Sequence, residues 1–202
     1  MPRTGLTQDQ MRSAAIDAAE ATIRRHGIER TRLVDVARAV GVSHAMLYRL
    51  FPDRAALVDA VSERWLARID RALASVAGGP GPAAHRLRDW FLALHRLKCD
   101  KVRAEPEIYA AFNMAAQSTR PVVRAHLAET NAQLVRLVRA AIDEGAVAPG
   151  DPQRIATLLF QGTLAFHHPR LVLEAIDQDR APALEALLDV LLKGLAATGD
   201  AA

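Results

Sequence analysis

Residues 31–51 read TRLVDVARAVGVSHAMLYRLF, two short apolar-periodic runs on either side of a glycine. Leu33, Val36, Ala37 and Val40 recur at helical spacing and stop at Gly41, and Met46, Leu47, Leu50 and Phe51 take up the pattern again after Ser43. Two helices joined by so short a turn make a helix-turn-helix. Gly41 supplies the turn, because a residue without a Cβ takes the left-handed backbone needed just past a helix end. Ser43 suits the N-cap of the second helix, its hydroxyl accepting from an N–H that has no partner within the first turn. Val42 before the cap and Leu47 after it occupy the positions of a hydrophobic staple, which fixes the angle at which the chain enters that helix. A DNA-reading helix depends on that angle.

Working outward, the same kinds of signal divide the rest of the chain. Thr7 and Gln10 spell a capping box with Leu6 and Met11 as its staple, opening a helix that runs to His26 and ends at Gly27. Thr31 suits the cap of the next helix, and Asp53, after Pro52, the cap of a fourth from Arg54 to about Ala77. Gly78-Gly79-Pro80-Gly81-Pro82 is the clear linker. Beyond it the periodicity predicts helices over 83–103, 106–117 and 121–144, another from Asp151 and Pro152 to Phe166 stopped by His167-His168-Pro169, and a last one over 182–197. No alternating strand pattern and no internal repeat appears, so the expected class is all-α: residues 1–52 as a three-helix DNA-binding domain and 53–202 as a helical bundle. The tails, 1–5 and 198–202, read as frayed.

Half of the 202 residues are apolar and 24% are charged, which suits a folded globular chain. The net charge is only +3; nine arginines against seven acidic residues give +2 through Ala60, leaving +1 for the remainder. DNA binding is therefore implied by motif and placement, not by bulk charge. A single cysteine excludes an internal disulfide, and the absence of a basic-then-apolar leader or of an apolar run near the roughly 18 residues of a membrane span predicts a cytoplasmic chain with no membrane partner. Enzyme chemistry has no support: no nucleophile elbow, phosphate loop, HExxH or paired carboxylates is visible, and no cofactor is expected.

The first turn of the second motif helix presents His44, Ala45 and Met46 to base edges, with Ala45 and Met46 suited to a thymine methyl. Met46 equally suits a core position. Thr31, Arg32, Arg49 and Arg54, together with the Ser43 turn, are placed to meet phosphates, although Arg49 also fits a plain solvated helix face.

Thr31, Val36-Ala37, Gly41-Val42-Ser43, Leu47-Tyr48, Phe51 and the Asp53-Arg54 to Leu57 opening of the next helix resemble the DNA-binding domain of the tetracycline-repressor (TetR) family. The departures are Arg32 where the family usually has Thr or Ser, Leu50 where it has His, and Arg54 where it has Lys. The resemblance implies a phosphate contact from Tyr48, a homodimer on a palindromic operator, and a C-terminal domain that binds a small effector, with repression as the expected sign. The last two helices would pair with their mates, small residues at Gly162, Thr163, Ala165 and Gly194 allowing close approach.

For the effector, Trp90, Phe91, Leu94, Tyr109, Phe112 and Phe166, with His167 as a polar corner, are the candidate pocket, and a largely hydrophobic ligand with one polar group would follow. Each of these residues taken singly also suits plain core. Two other readings stay open: a helical DNA-binding or interaction protein without a ligand, and a metal sensor using His95 and Cys99, four apart on one face, or His167 and His168.

Overall fold

The computed structural model describes residues 7–117 and 120–196. Among them the regular structure is entirely helical: α1 (Gln8–His26), α2 (Leu33–Val40), α3 (His44–Leu50), α4 (Arg54–Ala77), α5 (Ala83–Ala104), α6 (Pro106–Gln117), α7 (Pro121–Asp143), α8 (Pro152–Gly162), α9 (Pro169–Glu174) and α10 (Ala181–Leu195), with single 3-10 turns at Ile28–Arg30 and Leu164–Phe166.

Local chemistry explains most boundaries. Thr7 Oγ1 accepts from Gln10 N at 3.2 Å while Thr7 N donates to Gln10 Oε1 at 2.8 Å, a closed capping box; Leu6, its expected staple, lies outside the described residues, as do both tails and Ala197. Gly41 sits at φ +75°, Ser43 Oγ accepts from Met46 N, and Asp53 Oδ1 accepts from Ala56 N at 2.7 Å. Thr31 departs from its expected role. The cap position of α2 is Arg32, without a side-chain bond, while Thr31 is fully buried and its hydroxyl donates to Gly27 O at 3.1 Å, closing the 3-10 turn.

Two boundaries in the C-terminal half also differ from expectation. The helix from Pro152 stops at Gly162 rather than Phe166, because Thr163 folds its hydroxyl back onto Leu159 O at 2.8 Å and the chain tightens into the turn at Leu164–Phe166. Pro169 then opens a further helix, α9, at a point where proline read as a stop. Proline fits the first helical turn, where no N–H is needed.

The chain forms two compact units. One comprises residues up to Leu66 together with Ala104–Arg124; the other comprises Ala67–Arg103 and the residues from Ala125 onward. This division differs from the expected boundary at 52/53, because α6 belongs with α1–α3. Ile108 of α6 is buried in the same cluster as Ile16, Ile23, Leu33, Val36, Leu47 and Phe51. Arg24 Nε donates to Glu105 at 2.7 Å, and Arg120 grips Asp59 of α4 through Nε and Nη2 at 3.0 and 2.6 Å. In the second unit, Leu73, Leu87, Trp90, Leu134, Val138 and Leu188 are fully buried or nearly so.

Candidate nucleic-acid interface and ligand cavity

The first unit holds α3 by one side. Leu47 is completely buried and Phe51, just past the helix, is 1% exposed, both in the cluster with α1 and α2. This anchoring leaves His44, Ala45, Tyr48 and Arg49 exposed on the other side, with Tyr48 at 52% the most exposed aromatic of the chain's described residues. Met46 is between the two, half-buried beside Arg49, whose Nη2 approaches its Sδ at 3.3 Å. No acidic residue lies on α3. Arg32, Ser43 and Arg54 are exposed as well. Arg54 is partly committed, donating to the Glu29 carbonyl at 3.2 Å and pairing with the Glu29 carboxylate at 3.6 Å. Of the nine candidates for DNA contact, only Thr31 is wholly inside, and Met46 is split between core and surface.

Exposure on one side and locking on the other is what a reading helix requires: apolar anchors fix its pose, and short or hydrogen-bonding side chains are left for a groove.

The candidate effector residues are divided between the two units. Tyr109 and Phe112 belong to the first unit, where they pack edge-on against Trp65 with ring centroids 5.5 and 4.7 Å away. Trp90, Phe91, Leu94, Phe166 and His167 belong to the second unit and are all buried. Trp90 meets Phe91 edge-on at 5.2 Å and donates from its indole to Gln133 Oε1 at 3.0 Å. None of these seven lines the cavity of about 460 Å³ in the second unit. That cavity lies against α5, with His95, Arg96 and Cys99 on one side and Arg180 and Glu185 on the other. His95 Nδ1 donates to Phe166 O at 2.7 Å, and Arg180 stacks 4.6 Å over the Phe166 ring while bonding Ala165 O at 2.9 Å. Burial pushes the Cys99 thiol up, so it stands as a neutral floor.

Beside the cavity runs a buried polar network that the sequence did not announce. Lys98 is 5% exposed and donates to His167 O at 2.6 Å; burial lowers its ammonium to about 8, against a smaller upward pull from Asp70. His126 donates from Nδ1 to Asp70 at 2.6 Å, and burial outweighs that carboxylate to lower its imidazole. His167 donates from Nε2 to Phe160 O at 3.0 Å and is lowered to about 3, chiefly by burial and then by the Lys98 charge. Polar residues at core positions of α5 and α7 look solvated in a sequence; the chain's return at residues 166–167 supplies the partners of His95 and Lys98, and Asp70 of α4 that of His126. No three His, Cys, Asp or Glu side chains converge as a metal-binding group among the described residues.

Two family models match the sequence. "Bacterial regulatory proteins, tetR family" covers residues 15–61 and "Tetracyclin repressor-like, C-terminal domain" covers 83–188, together most of the chain. The chain is a TetR-family transcriptional regulator. No curated protein matches its sequence. Similar solved structures include a protein of unknown function from Rhodococcus sp. RHA1, 29% identical over 98% of this chain and 100% of that one at a TM-score of 0.68. SmeT, the repressor of the Stenotrophomonas maltophilia multidrug efflux pump SmeDEF, is 21% identical over 93% of this chain and 91% of its own at 0.66, and is also known in complex with triclosan. RolR in complex with resorcinol is 18% identical over 93% and 88% at 0.65. Identities this low, for SmeT and RolR, establish the shared TetR fold and nothing finer. No described helix is long and apolar enough to cross a membrane.

Proposed function

We propose that this TetR-family chain is a ligand-responsive repressor that grips a palindromic operator as a homodimer and releases it when a small molecule fills the cavity against α5. The reading is carried by α3, whose buried Leu47 fixes the pose in which His44, Ala45, Tyr48 and Arg49 face solvent. His44, Ala45 and the reachable part of Met46 read base edges; Arg32, Ser43, Tyr48, Arg49 and Arg54 hold phosphates.

The homodimer is supported by apolar side chains left in solvent on the last helices of the second unit, Leu158 at 56% and Val190 at 69% exposed, with Gly194 open beside them. The triclosan complex of SmeT and the resorcinol complex of RolR, two proteins of this fold, support a small-molecule effector here. The cavity between α5 and the start of α10 is the site we assign to it, in place of a chamber walled by Trp90, Phe91, Leu94, Tyr109, Phe112 and Phe166. Release follows only if the effector binds better to a conformation whose two reading helices no longer match successive major grooves about 34 Å apart.

The test selects bound DNA from a random pool with the purified chain and then titrates the recovered site with and without candidate effectors. Recovery of a two-fold symmetric site, and its release by a compound that Leu92→Trp in the cavity wall renders ineffective, is the expected result. Binding without sequence preference, or a response untouched by that substitution, counts against the reading.

A further inference from the structure

The charge pattern of the α5 cavity names a class of ligand; this rests on the cavity being the effector site, as proposed above. Along α5, Asp89, Leu92, Arg96, Cys99 and Arg103 line it from end to end, a wall of about 20 Å at the helical rise. The opposite wall runs the other way. Arg88, next to Asp89, pairs with Glu185 at 3.3 Å, whereas Arg103 reaches the Ile176 carbonyl at 3.4 Å, so Glu185 faces the Asp89 end and Arg180 the Arg103 end. Arg103 and Arg180 therefore lie toward one end, with Asp179 beside them, the carboxylates of Asp89 and Glu185 lie at the other, and Arg96 stands midway along the α5 wall.

The two acidic groups on the wall opposite α5 each have a partner. Asp179 is turned onto the Ala181 N–H at 3.2 Å, at the start of α10, and Glu185 is paired with Arg88. Arg180 is fixed by the Phe166 ring and the Ala165 carbonyl. Arg96 is exposed at the cavity wall and meets no acceptor among the described residues. Apart from Arg96, the lining between the two ends is apolar or uncharged, with Leu92, Ala93, Val76 and the Cys99 thiol among it.

We infer that the cavity binds a compact organic monocarboxylate, its carboxylate clamped by Arg96 and its apolar body lying over Leu92, Ala93 and Val76. An arginine fork and a planar carboxylate match two bonds to two oxygens. A single charge is favoured because a second anionic group extending toward the far end of the cavity meets Asp89, and about 460 Å³ suits a body of one ring or a short chain.

The experiment measures binding to the full-length protein by titration calorimetry, using benzoate, phenylacetate and octanoate, each against its neutral amide, with terephthalate as the dianion. At least one monocarboxylate is expected to bind roughly tenfold or more tightly than its amide and than terephthalate, and to lose that advantage in Arg96→Gln. Arg96 is exposed, so the variant should melt as the wild type does. Leu92→Trp should weaken all ligands alike. Equal binding of acids and amides, undiminished acid binding by a folded Arg96→Gln, or no binding by any of the three acids overturns the monocarboxylate. In the first case, loss of the amides in Leu92→Trp leaves the cavity as the effector site with a different ligand, and their retention removes the cavity as well.

Discussion

At the scale of single residues, two groups make sharp predictions because their surroundings differ so much. Tyr48 and Arg49 sit in water on α3, so changes there leave the fold alone and act on DNA. Tyr48→Phe should weaken binding to operator and random sequence alike, and Arg49→Ala should lower the slope of log K against log salt by about one charge, as read by fluorescence anisotropy at several ionic strengths. A changed base preference with an unchanged slope would assign Arg49 to base edges instead. His167 is the opposite case. Its folded imidazole is lowered to about 3 from an ordinary 6.5, with burial first and the Lys98 charge second, so below 6.5 the unfolded chain takes up a proton that the folded chain refuses. The associated stability is complete above pH 6.5 and drains as pH falls toward 3. His126 is lowered too and adds in the same direction. Urea midpoints taken between pH 7 and pH 4.5 should fall more steeply for wild type than for His167→Gln; parallel curves would show that this imidazole is not the acid-sensitive group.

At the scale of elements, helix ends were legible wherever a bond closes within four residues. Gly41 at φ +75° is the clearest case, since a Cβ built there meets nothing within 4 Å and any penalty is purely backbone. Gly41→Ala should therefore cost about 1–2 kcal/mol of stability by chemical denaturation, with no compensating or aggravating contact. A loss well above that would mean the turn makes a contact the backbone argument omits. Thr31 shows the limit of such reasoning: a threonine before a helix looks like a cap, but the 3-10 turn draws its hydroxyl back to Gly27 O. Helix α6 shows another. Its stripe of Ile108, Tyr109 and Phe112 says only that one face is buried, and the partner turns out to be the first unit, with Phe112 against Trp65. Phe112→Ala is thus expected to destabilise the DNA-reading unit by roughly 3–5 kcal/mol and to weaken operator binding through loss of folded protein. Thermal melting with a parallel binding assay distinguishes this from a shift in effector response alone, which would return Phe112 to the pocket.

At the scale of the whole molecule, the apolar side chains on α8 and α10 matter most. Val190 and Leu158 are branched aliphatics facing solvent, and a symmetric pairing of these helices would bury them. Val190→Glu should shift the protein from dimer to monomer by analytical ultracentrifugation and reduce affinity for a two-fold operator far more than for a half-site; a dimer that survives this change would place the interface elsewhere. The sequence by itself determined the all-α class, the helix-turn-helix with its Gly41 turn and Ser43 cap, and the solvent-facing candidates of α3, because those depend on backbone sterics and periodicity within a few residues. Tertiary structure alone decided which aromatics are core, which unit α6 joins, and where a cavity opens. The cavity walls come from Val76 and from residues 89–103 and 178–185, and Lys98, His126 and His167 find their partners only when α4, α5, α7, α8 and the turn before α9 are brought together. Which stripe meets which is set by packing between segments far apart in the chain, and a period of 3.6 residues carries no record of it.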